Sequence, residues 1–262
     1  MRSNIIIDSH CHLGLGSVPL TGEAPDRSFD RYLTRARAAG ITSTVVMAPP
    51  GGRYEQGNSA VGELVRAHPD RFLGYVFINP VTEMGRIAQA VAAAHTWGAC
   101  GIKVHWTDGA ATDEIGEVAR NHHMPVLYDP YGDVTTVGIL ARRHPDVAWI
   151  IPHLSSFADD WRAQTRMIDL LIHRPNVFTD TAGVRYFDLL ADAVRHAGPH
   201  KVLFGSDGPY LHPLVELTKI FALELGPGNT QLVLSTNILR LTRRARAHTP
   251  RVRRRHVSGA LR

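Results

Sequence analysis

The sequence predicts a single (β/α)8 (TIM) barrel, and three observations carry that expectation. Eight short apolar runs of strand character alternate with helix-like segments, with no break in composition between them. Three helix-to-strand connections read alike: His68-Pro69-Asp70, His144-Pro145-Asp146 and Arg174-Pro175-Asn176. In each, proline stops the helix and a short polar residue turns the chain into the next strand. Polar side chains also collect at the C-terminal ends of the predicted strands, the rim on which such barrels build their sites. A doubly wound open sheet is the structural alternative, but it needs fewer strands and leaves those polar ends unexplained.

The first strand begins with Ile5, Ile6 and Ile7, β-branched residues suited to burial on both faces. Its end turns polar at every second position. Strand alternation puts Asp8, His10 and His12 on one face and Ser9 and Cys11 on the other. A loop over 14–25 leads to a helix capped by Asp26 or Ser28 and stopped by Gly40. The remaining strands are expected over 42–48, 72–78, 100–105, 124–128, 147–151, 177–181 and 201–206. Helices are expected over 59–68, 83–97, 113–121, 134–144, 161–173, 186–196 and 214–225, with a last one over 231–243.

With 262 residues, 44% of them hydrophobic and 20% charged, the chain has enough apolar material for one large core. No apolar run reaches the length of a membrane span, and nothing at the N-terminus reads as a secretory leader. Two cysteines, Cys11 and Cys100, exclude a disulfide framework and fit a reducing cytoplasm. The formal charge of +5 is a property of the tail. Residues 243–262 hold eight arginines and no acid, so the other 242 residues carry a net −3. Nucleic acid is therefore not the expected partner of the body. The barrel is expected over 1–242, with 243–262 as a solvated, disordered terminus.

The barrel geometry sorts the 15 histidines. His68, His95, His122, His123, His144, His173, His196 and His200 fall in helices or near their returns, and read as surface or helix-end residues. His10, His12, His105 and His153 fall at strand C-terminal ends, together with Asp129 and Asp207. Two imidazoles and a carboxylate converging from the first strand can hold a borderline divalent ion, zinc first.

These motifs resemble the amidohydrolase superfamily, in particular the branch containing aminocarboxymuconate-semialdehyde decarboxylase and related aromatic acid decarboxylases. The resemblance runs from Asp8-Ser9-His10-Cys11-His12 to Phe204-Gly205-Ser206-Asp207-Gly208-Pro209. Gly101-Ile102-Lys103-Val104-His105, Pro152-His153-Leu154 and Thr179-Asp180-Thr181 lie in order between them. It implies a metal held by His10, His12, a fifth-strand ligand and Asp207, with His153 assisting as ligand or acid/base. The fifth strand departs from the family pattern. The family places histidine after Pro-Val and two apolar residues, where this chain has Pro125-Val126-Leu127-Tyr128-Asp129. Asp129 thus stands as the fifth-strand ligand, and its charge shifts the preference from zinc towards manganese. Binuclear members carry a carboxylated lysine on the fourth strand. Lys103 is read first as pairing with a substrate carboxylate or with Asp207, since the closer branch is mononuclear.

The expected activity is a metal-dependent hydrolase of a small organic amide, lactone or carboxylic acid. Asp207 serves as general base, and His153 or His105 holds the developing oxyanion. Arg53, Arg185 and Tyr128 are further candidates for contact with substrate, Arg for its bidentate grip on carboxylates. Trp106, Tyr131, Phe157 and Tyr210 are candidates for an aromatic wall. Non-oxidative decarboxylation of an aromatic or unsaturated acid is the second reading. A barrel deoxyribonuclease ranks third, because its fourth-strand glutamate is absent. A non-catalytic binding barrel is the reading from another class. A homodimer is compatible with all of these.

Overall fold

The computed structural model describes residues 5–16, 25–51, 54–157 and 160–248. Its eight strands are β1 Ile7–His12, β2 Ser43–Met47, β3 Phe72–Phe77, β4 Ala99–His105, β5 Val126–Asp129, β6 Trp149–Ile151, β7 Val177–Asp180 and β8 Val202–Leu203. They form one parallel sheet in sequence order. The seam between β8 and β1 is joined by Ser9 N–H to Phe204 O (2.9 Å) and His12 N–H to Gly208 O (2.6 Å). A parallel bridge between Cys11 and Gly208 continues it. The barrel predicted from the alternating pattern is the fold.

Between the strands lie α1 Pro25–Ala38, α2 Tyr54–Ala67, α3 Ile87–Thr96, α4 Asp113–Asn121, α5 Val134–Arg143, α6 Trp161–His173 and α7 Phe187–Ala197. After β8 come α8 Pro213–Ala222, α9 Pro227–Gln231 and α10 Asn237–His248. Three boundaries differ from expectation for physical reasons. α1 starts at Pro25, ahead of both expected caps, because proline is favoured in a first turn. The ladder of β8 stops at Leu203, three residues short of the expected end, because the chain then leaves the extended conformation to place Ser206 and Asp207. α10 continues past 243 to His248 with Ala245 buried, since that face still packs on the body. Residues 249–262, the rest of the expected tail, lie outside the described residues.

One core joins the outward faces of the strands to the helices. Trp149, Tyr32, Tyr75 and Phe204 are among its fully buried side chains, each contributing about 1.5–3 kcal/mol by its removal from water. On β4 the alternation is clear: Ile102 and Val104 join this core, whereas Lys103 and His105 line the cavity inside the barrel. His144, expected as a surface or helix-end residue, caps the C-terminus of α5 and is buried there. The missing side chain of Gly116 leaves room for its ring, and Asp113 Oδ1 lies 2.9 Å from its Nε2. Among the described residues, no helix is long and apolar enough to cross a membrane.

Candidate metal centre

The site begins with an irregularity in β1. Asp8 pairs with Thr44 and Cys11 with Val46, so three steps on β1 match two on β2. Such a bulge re-aims the side chains around it. Asp8 is turned away from His10 and His12, contrary to strict alternation. Its carboxylate accepts from Tyr32 Oη (2.7 Å), Ser206 N (2.8 Å), Ser206 Oγ (2.5 Å) and His10 N (3.1 Å). Burial pushes its pKa up to about 6 against the pull of those four donors. Asp8 therefore ties β1 to the chain after β8, with its lone pairs committed to that joint.

Three imidazoles are oriented by the same device. His10 Nδ1 lies 2.8 Å from Asp180 Oδ2, His12 Nδ1 lies 2.8 Å from Ala48 O, and His153 Nδ1 lies 2.7 Å from Ala182 O. A carbonyl oxygen only accepts, so His12 and His153 must carry their proton on Nδ1. A carboxylate imposes the same tautomer on His10. Each ring is then left with a bare Nε2, the atom a metal takes.

These Nε2 edges meet Asp207. Its Oδ1 lies 3.5 Å from Nε2 of both His10 and His12, and the ring of His10 is centred 5.4 Å from those of His12 and His153. One ligand atom each from His10, His12 and Asp207 falls within 4.8 Å of the others. Gly205 makes this approach possible, because a Cβ there would sit 3.0 Å from His10 Cβ. Asp207 itself adopts φ +54°, and His153, Leu154 and Ser155 adopt φ of +60°, +50° and +79°. Such conformations cost about 1–3 kcal/mol each. Gln164 secures the second stretch by donating to the carbonyls of His153 and Ser156.

The electrostatics suit a cation. Burial, and then the Lys103 ammonium, hold His10 well below the ordinary histidine range. Burial would raise Asp207, but the imidazoles of His10, His12 and His153 outweigh it and hold the carboxyl at about 2. A neutral imidazole beside an ionised carboxylate is the state ligation requires. His10 Nε2 is also fully buried with no hydrogen-bond partner among the described residues, a costly condition that a metal would relieve.

A second group adjoins this one through His153. His105 Nε2 lies 3.5 Å and His153 Nε2 4.0 Å from Asp129 Oδ2, while Tyr131 N–H donates to Asp129 Oδ1 at 3.0 Å. His105 is held the opposite way round from the other three. Its Nδ1 lies 2.8 Å from Thr107 Oγ1 and 3.4 Å from Thr107 N, and its Nε2 faces the Asp129 carboxylate, an acceptor that favours the proton on Nε2. Burial, with Lys103 next, lowers its pKa to about 3. Lys103 is fully buried; that lowers its pKa, and the carboxylates of Asp129, Asp207 and Asp180 oppose the shift. One divalent ion would balance three buried carboxylates set against one ammonium.

The cavity above these residues measures about 490 Å³ and reaches solvent past Trp106, Tyr131, Phe157, Tyr210 and Leu211, a volume suited to a small organic molecule. Trp106 and Tyr131 stack at 4.3 Å, and Phe157 sets its ring edge-on to His153 at 4.9 Å.

The structure thus brings together His10, His12 and Asp207, with His153 beside them. Asp129, expected as a ligand, lies between His105 and His153, outside the cluster of His10, His12 and Asp207. Tyr128 points away from the cavity into the core, as its place next to Asp129 on a strand requires. Arg185 is exposed and does not line the cavity. Arg53 lies outside the described residues. Asp180 was not singled out from the sequence as a site residue. Its signal was the one that marked Asp129 and Asp207, a carboxylate closing a strand.

The model of the amidohydrolase family matches residues 7–244. This chain belongs to the amidohydrolase family. No curated protein sequence matches it. Among solved structures, 5-carboxyvanillate decarboxylase from Sphingomonas paucimobilis is 15% identical, covering 92% of this chain and 99% of that one, with TM-score 0.71. 2,6-Dihydroxybenzoate decarboxylase from Rhizobium is 14% identical, covering 93% and 99%, with TM-score 0.69. A Pseudomonas putida protein assigned as a 2-pyrone-4,6-dicarboxylic acid hydrolase is 19% identical, covering 91% and 97%, with TM-score 0.71. At such identities these amidohydrolase relatives establish the shared barrel, and the chemistry has to be argued from the site.

Proposed function

We propose that this amidohydrolase is a metal-dependent hydrolase of a small carboxylated amide, lactone or related acid, with His10, His12 and Asp207 holding one divalent ion. The observation that carries the reading is the convergence of bare, buried Nε2 edges on an ionised Asp207. Two imidazoles and one carboxylate favour zinc, with manganese the alternative. When bound, the ion would polarise the substrate oxygen and lower the pKa of water.

The chain's own residues supply the rest. Asp207 takes a proton from the attacking water as that water's oxygen bonds to the acyl carbon. It then returns the proton to the departing oxygen or nitrogen as the acyl bond breaks. His105, protonated on Nε2, offers a donor to the developing oxyanion. Lys103, with its ammonium in the cavity floor, pairs with the substrate carboxylate. The free, buried Cys11 and Cys100 suit a reducing cytoplasm.

The aromatic mouth favours a second reading, non-oxidative decarboxylation of a planar unsaturated acid. Two of the structurally similar proteins are decarboxylases of aromatic acids. One experiment separates the two. Zinc- or manganese-loaded enzyme is incubated in 18O-water with a panel of lactones, amides and hydroxybenzoates. Label in a new carboxylate supports hydrolysis; carbon dioxide release without incorporation overturns it in favour of the lyase.

A further inference from the structure

We propose that Asp180, at the end of β7, is a positioning residue that fixes the tautomer of His10 and thereby makes its Nε2 a ligand. The consequence for metal rests on the proposed site, whereas the tautomer lock does not.

Asp180 is fully buried, and each of its oxygens has a separate task. Oδ2 faces His10 Nδ1 at 2.8 Å. Oδ1 accepts the backbone N–H groups of His153 (3.2 Å) and Ala182 (3.1 Å). Ala182 in turn offers its carbonyl to His153 Nδ1. One carboxylate therefore sets the ring of His10, the left-handed backbone at His153 and, through Ala182, the ring of His153.

The division of oxygens makes the inference sharp. Both sides of Asp180 face donors, so only a group that accepts on both sides fits. Asparagine has the same shape but one donor side. With its amide oxygen kept towards His153 and Ala182, its NH2 faces His10 Nδ1. That nitrogen must then accept, and the ring proton moves to Nε2, covering the lone pair aimed at Asp207. The flipped amide would set NH2 against two backbone N–H groups, leaving donors facing donors. The first arrangement is the one expected. The carbonyl that fixes His12 belongs to Ala48, just past the end of β2 and apart from Asp180, so His12 is unaffected.

The test is long-range 1H–15N correlation NMR of the histidine rings in the metal-free full chain, followed by zinc titration. Wild type is expected to show His10 protonated on Nδ1. Asp180→Asn should move that proton to Nε2, leave His12 unchanged, and weaken zinc binding by about 10- to 100-fold, with circular dichroism showing a folded barrel. His10 protonated on Nε2 in wild type would overturn the proposal, and this readout needs no variant to fold. So would an Asp180→Asn protein that keeps the Nδ1 proton and wild-type zinc affinity. A wild type with the expected tautomer but no zinc binding would instead contradict the proposed function.

Discussion

Asp129 Oδ2 stands 3.5 Å from His105 Nε2 and 4.0 Å from His153 Nε2. The resemblance of β5 to its family placed Asp129 among the metal ligands; in the structure its neighbours are the imidazoles of His105 and His153 and the backbone N–H of Tyr131. Asp129→Ala is therefore expected to keep its zinc stoichiometry and affinity nearly unchanged while losing turnover, because His105 loses its partner. Zinc titration of the variant checks this. A large fall in affinity would return Asp129 to the ligand set.

Among the described residues, Lys103 is the one Lys or Arg lining the cavity, and it faces three carboxylates. Lys103→Met keeps the length and apolar stem but removes the charge. Metal binding should hold or tighten, since Asp207 loses a competing cation. Affinity of the zinc-loaded protein for benzoate, used as a carboxylate probe, should fall by about tenfold or more. Calorimetric titration decides, and unchanged benzoate affinity would remove Lys103 from substrate recognition.

Gly208 closes the barrel seam beside Tyr32. A Cβ at this glycine would sit 2.3 Å from the Tyr32 ring, whose hydroxyl holds Asp8. Gly208→Ala is expected to destabilise the fold by about 1–3 kcal/mol, read as a lowered denaturation midpoint. A midpoint equal to wild type would mean that the ring moves freely and that the Tyr32–Asp8–Ser206 joint is dispensable.

The barrel was legible because its signals are local. Alternating runs, proline-stopped helices and polar strand ends are all written in short windows of sequence. The pair His10 and His12 was legible for the same reason, and Asp207 through its motif. Asp8 was misread because a bulge is a property of two paired strands, and its partner Ser206 lies 198 residues away. Asp180 went unassigned because its task depends on the ring of a residue 170 positions earlier. Tyr128 was misdirected by one step of strand register, a step that fully reverses the side chain.

The central claim is that His10, His12 and Asp207 hold a divalent ion, and elemental analysis of purified protein tests it most directly. Wild type is expected to carry about one zinc or manganese per chain. The double variant His10→Ala/His12→Ala should carry none while its circular dichroism still shows a folded barrel. A folded double variant that retains full metal occupancy would contradict the account.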